Sequence, residues 1–276
     1  MENDFQSNEY LALNSAGVTY VDWNARILRE KGRRDYQIIY IYEGQILVEA
    51  DGTERIIPEG NVILYRPHEK QKYAFFADHP ALHCWFHFSG TACDEILAQA
   101  GFGGGRVFPV GKNKQLVDII RKLEAEDRMR KEGYKLLCRS YVLEFFALFM
   151  RARYYRNDPA ALRNTLMIEN VCTVIHEQLD KPHSLAFFAD HCSLSVSRFS
   201  HVFKEVTGVS PKEYINNARL EKAALLLVST YLRVSEIAQK AGFRDQNHFA
   251  KVFKQKTGWT PTQYRIRGQN GDAELL

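Results

Sequence analysis

The sequence predicts a multi-domain α and β protein. An N-terminal β-rich domain, a sandwich or small barrel, is followed by two helices, and an all-α C-terminal domain carries two helix-turn-helix units. Three observations predict it. Short β-branched and aromatic runs separated by Gly, Pro and Asp fill the stretch from Val18 to Phe88. Apolar residues then recur at helical spacing from Asn113 onward. Finally, Phe199–Tyr214 returns fifty residues later as Phe249–Tyr264.

The strands expected first are Tyr36–Tyr42, Ile46–Glu49, Val62–Tyr65 and Tyr73–Phe76, with turns at Glu43-Gly44, Asp51-Gly52, Pro58-Glu59-Gly60 and Pro67. Two helices follow, Asn113–Arg130 and Lys135–Arg156. The first has a narrow stripe, Leu116, Ile119, Ile120 and Leu123, expected to pair two subunits rather than to pack on the strands. The second is apolar nearly all round between Tyr141 and Met150, which predicts burial on several sides. Asn157-Asp158-Pro159 reads as a helix break opening a linker. The expected division is a sensor domain over 1–110, dimerisation helices over 111–156, a linker over 157–164 and the double helix-turn-helix over 165–268.

In the repeat, Phe203/Phe253, Lys204/Lys254, Thr207/Thr257, Gly208/Gly258, Pro211/Pro261 and Tyr214/Tyr264 coincide. Phe188-Ala189 matches Ile237-Ala238 one residue out of that register, so the second copy has one extra turn residue. Phe199, Val202, Phe203 and Val206 form a buried stripe, with Ser195 as N-cap and Gly208 as the left-handed stop. Ser210-Pro211-Lys212-Glu213 and Thr260-Pro261-Thr262-Gln263 each open the next helix with a cap, a first-turn proline and a capping-box partner. A helix from Pro211 to about Ser229 is roughly 27 Å long. With helix widths added it can hold two recognition helices about one DNA turn, ~34 Å, apart.

Composition agrees with a polyanion partner. The 276 residues are 45% hydrophobic and 25% charged, an ordinary globular balance. Residues 166–268 carry 14 Lys+Arg against 9 Asp+Glu, whereas residues 1–165 carry 23 against 22. The longest apolar run, Phe145–Met150, is too short to cross a bilayer. The polar, acidic start does not read as a signal peptide, and five scattered cysteines read as reduced thiols; a cytoplasmic protein is expected.

Arg219–Val228, Val234–Phe243, His248–Lys254 and Thr257–Pro261 together resemble the AraC/XylS transcription regulators over about a hundred residues. The resemblance implies two helix-turn-helix units on successive major grooves. Its base-contacting positions fall on Val196, Ser197, Ser200 and His201 in the first copy and on Gln246, Asn247, Ala250 and Lys251 in the second. Lys204 and Lys254 join them on the exposed faces as cations for DNA. Gln246 and Asn247 are the strongest readers, because a carboxamide bonds adenine bidentately.

Tyr36–Gly44, Ile57–Pro67 and His83–Gly90 resemble the cupin-type sensor domain of the same family. On Leu82–Phe88, alternation sets His83, Trp85 and His87 on one face and Leu82, Cys84, Phe86 and Phe88 on the other. The first face suits a pocket for a small polar ligand. The resemblance implies a sugar stacked on Trp85 and bonded by His83 and Tyr73, with Glu43 standing where a sugar-binding Arg occurs in the family. No catalytic group, cofactor or metal site is expected: the His-x-His pair of cupin metal sites is absent after Gly44. The expected partners are double-stranded DNA, a sugar effector, a second copy of the chain, and RNA polymerase if the regulator is an activator; no membrane is expected.

Overall fold

The computed structural model describes residues 9–269 apart from Asp51 and Pro182. The chain forms two compact units, residues 1–159 and 160–276.

In the first unit nine strands make two antiparallel sheets. The strands are β1 (Ala12–Val21), β2 (Ala25–Arg29), β3 (Tyr36–Glu43), β4 (Gln45–Ala50), β5 (Thr53–Pro58), β6 (Asn61–Tyr65), β7 (Gln71–Phe75), β8 (Ala81–Ser89) and β9 (Val107–Pro109). One sheet runs β1-β8-β3-β6-β9 and the other β2-β7-β4-β5. Tight reversals need glycine where the backbone turns left-handed. At Gly44 (φ 78°) a Cβ would lie 2.0 Å from the Pro80 carbonyl oxygen.

Strand alternation separates two cores. Ile39, Ile41, Ile63 and Tyr65 of the five-stranded sheet meet Ile46, Val48, Ile57, Tyr73 and Phe75 of the four-stranded one between the sheets. The opposite residues, Ile38, Tyr40, Cys84, Phe86 and Phe88, pack on α1 (Cys93–Gln99), α2 (Lys114–Met129) and α3 (Tyr134–Asn157). Phe86 meets Phe145 edge-on, with ring centroids 4.9 Å apart.

Three expectations are corrected here. Leu116, Ile119, Ile120 and Leu123 are buried within their own domain, among the side chains of the outer core, so that stripe is not free to pair subunits. The strands present a broad apolar outer face, and α2 is what covers it. Second, α3 is not buried on several sides. Leu136, Ser140, Leu143, Ala147, Met150 and Tyr154 are exposed along one edge of it. Third, residues 157–164, within which the two units divide, are helical apart from Asp158 rather than irregular. Only Asp158 separates α3 from helix α4 (Pro159–Glu177), because a proline is disfavoured inside a helix but suits its first turn.

The second unit is helical throughout: α4, α5 (Leu185–His191), α6 (Val196–Thr207), α7 (Pro211–Ser229), α8 (Val234–Lys240), α9 (Gln246–Thr257) and α10 (Pro261–Gln269). Two small cores divide it, one built on Phe188, Phe199 and Phe203 and the other on Ile237, Phe249 and Phe253. Helix α7 serves both, placing Ala218 in the first and Leu220, Ala223, Ala224 and Leu227 in the second.

Candidate nucleic-acid interface and effector site

Each copy is a short helix, a turn and a longer helix whose ends are locally specified. Ser195 Oγ accepts from Arg198 N, and Gly208 ends α6 in the left-handed region at φ 81°. Asp245 Oδ1 accepts from His248 N, and Gly258 ends α9 at φ 80°. Ser210 caps α7 through Glu213 N at 3.3 Å. At α10 the box is reciprocal: Gln263 N donates to Thr260 Oγ1, and Thr260 N to Gln263 Oε1. One further device repeats: Arg219 donates to the Leu179 and Lys181 carbonyls, and Arg265 to those of Leu227 and Leu232. Each arginine closes the end of the helix that leads into its copy.

The extra residue of the second copy lies between the turn and the cap. The left-handed turn residues are Ser193 (φ 54°) and Gly242 (φ 90°), but Asp245 caps α9 one residue later than Ser195 caps α6. Gly242 is required, since a Cβ there would lie 1.9 Å from the Leu179 carbonyl oxygen.

The polar positions fall on the side of each helix away from its core. Val196, Ser197, His201 and Lys204 are exposed on α6 and Ser200 is half-buried; on α9 Gln246, Asn247, Lys251 and Lys254 are exposed and Ala250 is half-buried. The i, i+1, i+4, i+5, i+8 spacing puts each set on one helical face. Ser200 Oγ donates to Val196 O at 2.8 Å, and His201 Nδ1 lies 3.9 Å from Glu205 Oε2.

Inside the first unit, β8 directs His83, Trp85 and His87 between the sheets. His83 sits against Phe75, centroids 4.6 Å apart, and Trp85 meets His87 edge-on at 5.4 Å. The indole lies over β1, where a Cβ on Gly17 would come within 2.7 Å of it. Tyr73 points inward from the facing sheet, 6.0 Å from Tyr65. Burial holds the His83 imidazole down at about 4, with a bond to the Thr19 backbone working the other way. Burial also lowers His87, opposed by Asp35. Burial alone would raise the Asp35 carboxyl, but His87 and Arg33 outweigh it and hold it well below the ordinary range. Arg33 Nε donates to Asp35 Oδ1 at 2.7 Å, and Asn14 Nδ2 to Oδ2 at 3.0 Å.

Glu43 does not join this group. Alternation from Ile39 and Ile41 points it inward, but a bulge between Ile41 and Glu43 sets it opposite Leu82, and its side chain is exposed. Conversely, Gln37, Tyr65 and Gln71 are buried on the inward face and were not among the expected ligand residues. Their signal was present: a glutamine in the inward phase of an apolar strand has no reason to be there for packing alone. Among the described residues no group of three His, Cys, Asp or Glu side chains is placed to hold a metal ion, and no helix is long and apolar enough to cross a membrane.

Residues 188–267 match the family model of a helix-turn-helix domain, and residues 15–146 that of an AraC-like ligand binding domain. The HTH-type transcriptional activator RhaR of Salmonella heidelberg (strain SL476) is 33% identical over 288 aligned positions, covering 99% of this chain and 98% of that protein. The arabinose operon regulatory protein of Escherichia coli (strain K12) is 27% identical over 267, covering 91% and 88%. A paired helix-turn-helix unit behind a two-sheet sensor domain defines a DNA-binding transcription regulator. The chain belongs to the AraC family.

Proposed function

We propose that the protein is a sugar-responsive activator that works as a homodimer. The observation that carries the sugar is Trp85, an aromatic plate set between the buried polar groups His83 and His87 and facing Tyr73. Aromatic faces stack on the C–H surface of a sugar ring while fixed polar groups orient its hydroxyls. Relatives named for the arabinose operon point to the same ligand class. Glu43, exposed beyond the bulge, is left out of this site.

On the DNA side, Val196, Ser197, Ser200, His201 and Lys204 enter one major groove and Gln246, Asn247, Ala250, Lys251 and Lys254 the next. The dimer forms through α3. Leu136, Ser140, Leu143, Ala147, Met150 and Tyr154 alternate at spacings of four and three, the period of a coiled-coil seam. Four of the six are large apolar or aromatic side chains exposed by 40% or more. RNA polymerase is the partner of an activator so built.

Titrating L-arabinose and L-rhamnose against tryptophan fluorescence, with Trp85→Phe as control, tests the ligand. No change with either sugar, or a Trp85→Phe protein that binds as tightly as wild type, ends the assignment. For the dimer, Leu143→Asp with Met150→Asp is expected to give a folded monomer in light scattering. An unchanged dimer would overturn the seam.

A further inference from the structure

Four buried polar side chains point between the sheets at the end of the sensor domain remote from His83. In the five-stranded sheet Gln37 pairs with His87 on one side and with Tyr65 on the other, so the three share one inward row. Trp85 and Ile39 occupy the next row, and His83 and Ile41 the one beyond. From the facing sheet Gln71 projects inward two residues before Tyr73, whose ring lies against Tyr65. Arg29, the strand partner of Gln71, donates to its side-chain oxygen at this end.

All four are more than nine-tenths buried: Tyr65 and Gln71 are 0% exposed, Gln37 3% and His87 5%. Three of them carry an atom with no hydrogen-bond partner among the described residues, namely Gln37 Oε1, Tyr65 Oη and Gln71 Nε2, and His87 Nδ1 has only the Asp35 carboxylate at 3.5 Å. Buried polar atoms without a partner are costly, so a set of them on one inward row and the residue facing it is expensive as mere packing. Nearby groups are spent elsewhere. Asp35 is taken up by Arg33 and Asn14, with His87 at 3.5 Å. Arg106 lies over the Tyr65 ring, 4.7 Å from its centroid, but its donors go to the Glu49 and Lys70 carbonyls and to Glu69.

We infer that Gln37, Tyr65, Gln71 and His87 form a second effector subsite, which binds adjacent hydroxyl groups of a sugar whose ring rests on Trp85. The inference rests on the sugar reading above. The chemistry of these groups selects hydroxyls. Arg29 Nη1 donates to Gln71 Oε1 at 2.9 Å, and a guanidinium can only donate, so the amide orientation is fixed and its N–H group faces the interior. Gln37 Oε1 needs a donor, and the Tyr65 hydroxyl can both give and take. A hydroxyl accepts from Gln71 and donates to Gln37 at once. A carboxylate supplies no proton for Gln37 Oε1, and Asp35, two residues away on the same phase of the chain (about 7 Å), repels it.

The test uses the full chain and calorimetric titration with L-arabinose, L-rhamnose and the sodium salt of L-arabinonate. Gln37→Met keeps the length of the side chain and removes the amide. Gln71→Glu keeps the partner of Arg29 and removes the N–H donors. Each is expected to weaken binding of the sugar that wild type takes by about tenfold. The ligand-free Gln37→Met protein should melt no lower than wild type, since it loses an unpaired polar atom; a lower melting temperature would make the amide structural and overturn the subsite. Arabinonate binding as tightly as the sugar would also overturn it. Wild-type affinity in both variants, with loss in Trp85→Phe, would remove the subsite and leave the sugar reading standing. Should neither sugar bind wild type, that reading falls and the subsite with it.

Discussion

The two helix-turn-helix copies share a skeleton and differ in surface. Both longer helices bury a pair of phenylalanines, Phe199 and Phe203 in one and Phe249 and Phe253 in the other, with ring centroids 5.6 and 5.4 Å apart. Both end on a left-handed glycine preceded by a threonine that donates back to the carbonyl four residues earlier. Outside the core they diverge. Helix α6 offers short hydroxyls, one already bonded to its own backbone, and a histidine held near Glu205. Helix α9 offers two carboxamides and, beyond the Lys254 that matches Lys204 of α6, the further cations Lys251 and Lys256. With the contacts proposed above, a common core with unlike faces divides the work: α9 would supply more of the charge and the bidentate readout, and α6 a closer fit.

The largest expected effect ignores that difference. Phe203→Ala and Phe253→Ala should each cost about 3–5 kcal/mol in urea unfolding, because each removes a fully buried ring from a small core. If one copy lost much less than the other, the skeletons would not be equivalent. Next comes readout. Asn247→Ala should lose about 1–3 kcal/mol of operator binding in a shift assay, whereas Ser200→Ala should lose little, its hydroxyl being engaged by Val196. Equal losses would erase the proposed division of labour. Caps follow: Ser195→Ala and Asp245→Ala should each lower stability by about 1 kcal/mol, read from denaturant midpoints. Lys251→Ala should reduce the slope of log affinity against log salt by about one. The smallest effect belongs to Glu205→Gln, which removes a negative charge from the face of α6 and should tighten DNA binding by about twofold at low salt. A weaker complex would mean that Glu205 positions His201.

How much of this was legible in the sequence depended on whether the signals were local. The helix boundaries of both copies were legible because caps, prolines and stop glycines act within four residues of themselves. Ser195, Gly208, Ser210 and Pro211 needed no knowledge of the rest of the chain. The inward placing of His83, Trp85 and His87 was legible for the same reason, since a strand alternates by its own geometry. What failed depended on neighbours. Glu43 was displaced by a bulge that only the pairing of β3 with β8 reveals. The stripe of α2 and the outer edge of α3 were both apolar, and only the packed sheet shows which of the two it covers. Pro159 reads as a breaker or as a first-turn residue, and the sequence there favours neither. Gln37 and Gln71 stand out as inward glutamines from strand alternation alone, but only register shows that Gln37 lies beside His87 and Tyr65.

Helix α7 has a consequence for how such a regulator can change its target. Its early residues belong to the core of one copy and its later residues to the core of the other, so it works as a fixed-length spacer with both ends embedded. Adding a single residue within it would advance the second copy by about 1.5 Å and turn it by roughly 100°, swinging α9 away from the groove that α6 leaves for it. With α6 and α9 on successive grooves as proposed, the spacing between the two segments of an operator is set by the protein, while the bases within each are read by side chains that can be exchanged one at a time. New operators would then be reached by altering letters rather than the gap between the words.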